Sequence, residues 1–556
     1  MLVCIVMHIV ENKSKQGKKI YQSILLRESY RENGRVKKRT IANLSHSSPE
    51  EIAAIRIALK YKDDLPNLVH LGDDIKLQEG LSVGAVWVLY QIARRIGIEE
   101  ALGRDFYGKL ALWQVIARVI DQGSRLSAVR LAQVHAACDI LGITRGFNED
   151  SLYENLAWMA DNQEGVENRL FSGRRGKESA EIFLYDVTSS YLEGEENFFG
   201  EYGYNRDGKK GKKQIVIGLL CDEYGDPVSV EVFSGNVQDP KTFAPQVSKI
   251  AERFGCWRVT FVGDRGMIKS AQIQQLPEGF HYITAITKPQ ICSLIQQGVI
   301  QWGLFDKDIC EVEEEGVRYI LRRNPIRAEE LDKNRFSKRK KIEQLTEQKN
   351  LYLQEHPRAK VAASIKEIAG KIKQLKVDKW LRVQSQDRTL TLEVDEECVK
   401  RESDLDGCYV IKTDLPKSVA DKQIIHDRYK DLTLVEKVFR NCKTTFLEVR
   451  PVFVRTEKST RGHVLTVMLA YMIVRYLQKA WDAFDLTVEE GIKQLSTLTS
   501  VEMKVKDRQS VLKIPRPREQ SRNLLNALDI RMPEALPHKE VSVVTKKKLP
   551  ERRKPT

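Results

Sequence analysis

The chain has 556 residues, too many for one ordinary hydrophobic core, so two to four domains are expected. Its 91 Lys and Arg against 77 Asp and Glu give a formal charge of +14 and a pI of about 9.1, the balance of a protein that meets polyanions. Nine scattered cysteines with no C-x-x-C pair, and no histidine at zinc spacing, exclude a disulfide framework or zinc module and predict reduced core thiols.

The N-terminal run MLVCIVMHIV lacks a basic flank and a cleavage site, so no signal peptide is expected. The longest apolar stretch, VLTVMLAYMIV, falls short of the ~20 residues that cross a bilayer, which predicts no membrane partner and a cytoplasmic, nucleoid-associated protein. Residues 1–65 alternate apolar and polar in three runs, with Asn33-Gly34 as a hairpin turn and Ser48-Pro49-Glu50-Glu51 opening a helix. They predict a small α+β domain. From 66 to 178 apolar residues recur at helical spacing and glycines close the segments, giving a helical domain read as DNA-binding. Arg118, Arg125 and Arg130 are compatible there with helix-turn-helix readout, and also with an ordinary bundle.

At about 181 strands take over: IFLYDVTSSYL, then QIVIGLLCDEYGDPVSVEVFSGN with a hairpin at Tyr224-Gly225-Asp226-Pro227. A helix over 241–254, the strand WRVTFVGD, a helix after Ser270 and the strand HYITAIT follow. Three successive strands, a helix and a further strand resemble the start of a ribonuclease H-like core, an α/β fold whose mixed sheet, flanked by helices, carries carboxylates on its first and fourth strands. Asp186 and Asp264 stand on those two. Residues 288–418 interrupt the core as an inserted β-rich and helical subdomain, with strands in KDICEVEEEGVRYILRR, RTLTLEV and GCYVIKT and a charged helical hairpin broken at His356-Pro357. The helix in RGHVLTVMLAYMIVRYLQKAW is expected to lay one apolar face on the sheet. The catalytic domain then spans 179–482, and a C-terminal region, 483–556, ends in a disordered basic tail.

Asp186 lies inside an apolar run, where an unpaired carboxylate is costly to bury. Asp264 ends a strand, where an aspartate is ordinarily a turn residue or helix cap, and Glu436 alone is a helix-surface residue. Together, three carboxylates without His or Cys fit Mg²⁺, with Mn²⁺ able to substitute. Two such ions activate the nucleophile of a phosphodiester cleavage and neutralise its entering and leaving oxygens; Asp186 would bridge both, with Asp264 and Glu436 each holding one. Tyr429, Glu436 and Lys443 recur every seven residues, so a continuous helix aligns them as a stripe for phosphate, metal and phosphate along one DNA strand. Gly203 to Lys209 has the spacing of a phosphate loop, but Lys210 stands where Ser or Thr would bind Mg²⁺. The segment NRDGKKGKKQ, with Lys209, Lys210, Lys212 and Lys213, is read instead as a flexible basic loop touching the DNA backbone. His463 is left outside the catalytic set.

The sequences YDVTSSYLEGE, VGDRGMIKS and YKDLTLVEKVFRNCK, around Asp186, Asp264 and Glu436, resemble the DDE transposases of bacterial insertion sequences. The match is to the insertion-sequence-four superfamily with its Tyr, Arg, Glu, Lys signature. DGCYVIKTDL, RPVFVRTEKSTRGHVLTVMLAY and RTIANLS extend the likeness over nearly the whole chain. Leu432 stands at the signature's Arg, a departure that removes one phosphate or structural contact and leaves the acids untouched. The resemblance implies an enzyme that binds the terminal inverted repeats of its element in double-stranded DNA. It further implies Mg²⁺-dependent cleavage to a 3′ hydroxyl and transfer of that end into target DNA by a homodimer in a synaptic complex. It also implies a β-rich insertion, in which Trp302 and Trp380 are candidates to stack a flipped base, a core tryptophan being the simpler reading of each. The alternatives are a non-catalytic DNA-binding derivative, against which the three retained acids argue, and a nuclease of the same fold without strand transfer.

Overall fold

The computed structural model describes residues 6–16, 19–32, 35–60, 62, 75–175, 182–444, 446–451, 453–505, 511–537 and 541–546. They fall into two compact units. One comprises Met1–Gly80, Ser500–Pro515 and Glu534–His538. Its strands Val6–Gln16, Lys19–Glu32 and Arg35–Asn43 form an antiparallel sheet. The Asn33-Gly34 turn lies outside the described residues, but Glu32 opposes Arg35, the register a two-residue connection requires. Helix Pro49–Lys60 opens with a reciprocal Ser48–Glu51 cap, and Arg56 ties it to Glu11 of the first strand. The same unit holds most of a second sheet, ordered Ala535–Leu536, Val511–Lys513, Thr499–Val505, Ile75–Ser82. There Lys504 donates to Gln78, 426 residues away in sequence. The C-terminal region therefore returns to complete a sheet begun near the start of the chain, while the basic tail from 547 onward lies outside the described residues.

The other unit, Leu81–Thr499 with Arg516–Pro533 and Lys539–Thr556, contains both the helical segment and the large sheet. Helices α1 (Phe106–Ile120), α2 (Arg125–Val134) and α3 (Glu149–Asp161) begin at Asp105, Ser124 and Asn148, each of which accepts a hydrogen bond from a first-turn amide. Of the two readings left open for Arg118 and Arg125, the structure fits the ordinary bundle. Both are buried: Arg118 donates to the Gln122 carbonyl and Arg125 to Gln114 Oε1 at 3.0 Å. Burial pulls their pKa values down to about 9 and about 10. Only Arg130 of the three is exposed.

The sheet begins with β1 (Ile182–Tyr191), β2 (Gln214–Asp222) and β3 (Pro227–Ser234), successive antiparallel strands. Helix α4 (Asp239–Ser248), prolonged by a π-helical turn at Lys249–Arg253, leads to β4 (Val259–Gly263) and then β5 (Phe280–Ala285). β4 runs parallel to β1 on the side opposite β2, and β5 parallel to β4. Being covered on both faces, β2 and β4 are buried at every residue. Their core is aromatic, with Phe183, Tyr185, Phe243, Phe261 and Tyr282 in one cluster.

The segment predicted as an inserted subdomain divides. Strands β6 (Cys310–Glu314) and β7 (Val317–Arg323), and after them β8 (Cys408–Thr413), extend the main sheet to the order β6-β7-β8-β5-β4-β1-β2-β3. Between β7 and β8, helices α5 (Pro325–Glu355) and α6 (Val361–Gln374) pack with the hairpin Leu381–Gln386, Thr389–Val394 around their own core of Ile342, Leu353, Ile368 and Trp380. Helices α7 (Lys422–Lys430), α8 (Leu432–Lys443) and α9 (Glu457–Ala480) complete the unit. α9 was expected to be apolar on one face, yet Ser459–Val474 is buried nearly all round, because α1 and α3 pack on it as well as α8 and β3. At Gly462 a Cβ atom would lie 2.0 Å from the Leu156 carbonyl oxygen of α3. Among the described residues no helix is long and apolar enough to cross a membrane.

Candidate active site

The parallel register of β1 and β4 sets the first two acids side by side. Tyr185 pairs with Gly263, so the next residues, Asp186 and Asp264, emerge at neighbouring positions where β4 ends. The short helix beyond Asp264 starts only at Ser270 with Lys269 at its cap, so Asp264 does not serve as its N-cap. Helix α8 buries Val435, Val438, Phe439 and Cys442 and leaves Glu436, Arg440 and Lys443 along one wall of a cleft of about 430 Å³. Asp186, Asp264 and Glu436 all line that cleft, together with Tyr204, Arg206, Asp239, Gly266 and Lys443.

The acids feel one another. Burial, followed by the charges of Asp264 and Glu436, raises the pKa of Asp186 to about 7 against the pull of Val187 N–H and Arg206. The Tyr429 hydroxyl faces Asp264, and burial, then the charge of that carboxylate, pushes the phenol pKa up. A fourth carboxylate, Asp239, enters at the N-terminus of α4: an ideal Cβ on Gly266 would lie 3.9 Å from Oδ2 of both Asp239 and Asp264. These hard oxygen donors, with no His or Cys among them, suit a divalent cation, and a carboxyl as reluctant to ionise as Asp186 is one whose charge a cation would neutralise. Among the described residues, however, no three metal-ligating side chains close into a ready-made cage.

The seven-residue stripe is interrupted. A turn at Asp431 separates α7 from α8, so Tyr429 reaches Asp264 from one helix while Glu436 and Lys443 stand on the next. Lys443 is already engaged, its Nζ 2.7 Å from Asp207. The basic loop is likewise pinned, correcting the flexible reading. The Asn205 side chain accepts from Asp207 N and Lys209 N, and Arg206 N donates to Ser189 Oγ. The Arg206 guanidinium sits 2.6 Å from both oxygens of Asp239, and Asp207 holds Tyr191 N as well as Lys443. Gly208 and Gly211, with φ of 69° and 72°, allow the turn. Lys209, Lys210 and Lys212 remain exposed and Lys213 half-buried; Lys209 lies 5.8 Å from the Tyr191 ring centre and Lys212 3.8 Å from Glu193.

Arg206, Asp207, Asp239 and Arg440 went unrecognised in the sequence. Arg206 and Asp207 lie within the NRDGKK segment already singled out for its lysines, and Arg440 lies four residues past Glu436, one helical turn. Trp380 is 3% exposed and belongs to the core, whereas Trp302 is 44% exposed on a short 3₁₀ turn. His463 is buried against the Val449 carbonyl, and its pKa falls well below the usual value because of that burial.

Comparison with known families gives two matches. Residues 8–67 match the N-terminal domain of the IS1634 family transposases, and residues 177–473 match the transposase DDE domain. No curated protein matches the chain.

Proposed function

Because the chain belongs to the DDE transposases of insertion sequences, metal-dependent enzymes of DNA phosphoryl transfer, we propose that Asp186, Asp264 and Glu436 are its catalytic carboxylates. The observation that carries this reading is the Tyr185–Gly263 register, which sets two aspartates together beneath the Glu436 wall of one cleft. The sheet order around them supports a ribonuclease H-like core for the catalytic domain, 179–482; we further assign residues 1–65 to an N-terminal domain and 66–178 to a DNA-binding helical region, of which residues 81–178 share the core's compact unit.

Mg²⁺ is the ion we assign, and at such a site divalent cations activate the attacking oxygen and offset charge on the leaving one. The protein's own part is positional. Asp186 gives up its proton as the cleft is loaded, Tyr429 orients the Asp264 carboxylate, and α8 holds Glu436 opposite both. Lys209, Lys210, Lys212 and Lys213 line the loop beside the cleft and attract the phosphate backbone without reading bases. The substrates are the terminal inverted repeats and a target duplex, held by a homodimer in a synaptic complex.

The test is incubation of the protein with DNA carrying the element's own ends, with and without Mg²⁺. Wild type should release a 3′ hydroxyl at the element boundary and join it to a second duplex only with the ion present. Glu436→Gln should bind the ends yet leave both strands intact. Equal cleavage by the variant would overturn the assignment.

A further inference from the structure

Three cations line the cleft: Arg206, Arg440 and Lys443. Two are neutralised within the protein, Arg206 by both oxygens of Asp239 and Lys443 by Asp207. Arg440 is exposed, and among the described residues no carboxylate pairs with it. Its setting makes this notable. A Glu followed by a basic residue four positions later is the favourable order for a helical ion pair, and the chain makes such pairs at Glu457–Arg461 and Glu489–Lys493. On α8 the Glu436–Arg440 pair is not formed, although both side chains line the same cleft. The acid and the guanidinium both remain open to the cleft.

We infer that Arg440 holds a DNA phosphate flanking the one under attack, an inference that rests on this cleft being the site of cleavage. Four residues of helix place it about 6 Å beyond Glu436 along the axis. A guanidinium presents two parallel N–H donors that match a phosphodiester's two free oxygens, which a point-charge ammonium does not. With the carboxylates committed to cations, Arg440 is the cleft's open positive charge, and a neighbouring phosphate is what an in-line displacement must have fixed beside it.

A set of end duplexes, each with one phosphate replaced by a neutral methylphosphonate, locates the contact by fluorescence anisotropy. One position next to the cleavage site should weaken wild-type binding about ten-fold and leave Arg440→Ala unaffected. Arg440→Ala should also lower the slope of log K against log salt by about one, with Arg440→Lys restoring charge but only part of the affinity. If every methylphosphonate acts alike on wild type and Arg440→Ala, or the salt slope is unchanged, the inference fails. Cleavage by wild type but not Asp186→Asn in parallel assays separates that failure from failure of the site itself; equal cleavage by both overturns the two readings together.

Discussion

Asp186 governs the electrostatics of the cleft before any DNA arrives. With its pKa raised from 3.8 to about 7, the folded chain binds a proton there that the unfolded chain has released. Between those values stability is therefore lost as pH rises, and it stays lost above about pH 7. In buffer free of divalent cations, Asp186→Asn should melt several degrees above wild type at pH values above about 7, the gap closing toward about pH 4. Added Mg²⁺ should raise the wild-type Tm and leave the variant nearly unmoved; scanning calorimetry reads both. A wild type that melts no lower than the variant would contradict the burial of this carboxylate. Asp186 and Asp264 were legible as acids closing or interrupting apolar strands. Asp239, Asp207 and Arg440 were not, because a polar residue in a loop or on a helix surface carries no local mark of the neighbours that register and packing later give it.

At the scale of elements, periodicity gave α9 correctly as a helix but misjudged its surroundings. A 3.6-residue pattern reports which faces are apolar, and it is silent about the second layer, here α1 and α3, that buries the remaining face. Gly462 marks how close that layer comes. Gly462→Ala should cost about 3 kcal/mol, more than most surface changes, because the added methyl meets backbone oxygen instead of a side chain able to rotate away. Urea unfolding should show the loss as a lower midpoint with an unchanged slope. The apolar runs in the insertion were readable as strands too, but their membership of the main sheet was not. Antiparallel pairing of β8 with β5 joins Ile411 to Ala285 and Thr413 to Ile283, partners more than a hundred residues apart that no local pattern announces. The same limit explains the misjudged helix through Tyr429, where spacing implied continuity and a single turn at Asp431 divides it.

For the whole molecule, the texture change near residue 181 is a boundary in composition. The helical segment and the sheet share one compact unit, and α9, which follows the last acid in sequence, packs on helices that precede the first. Fragments 81–178 and 179–499 expressed separately should therefore be poorly folded, each exposing the apolar surface that the other covers. Co-expression should yield a complex with restored far-ultraviolet dichroism and a single gel-filtration peak; two independently stable, monomeric fragments would refute the shared core. The sheet that pairs Ile75–Ser82 with Thr499–Val505 carries a temporal consequence as well. Translation at roughly 5–20 residues per second needs roughly 20–85 s to cover the 426 residues between Gln78 and Lys504. Throughout that interval the early strand lacks the neighbour it has in the finished protein, and a polypeptide released prematurely never acquires it. Completion of this sheet thus reports that translation has passed Lys504.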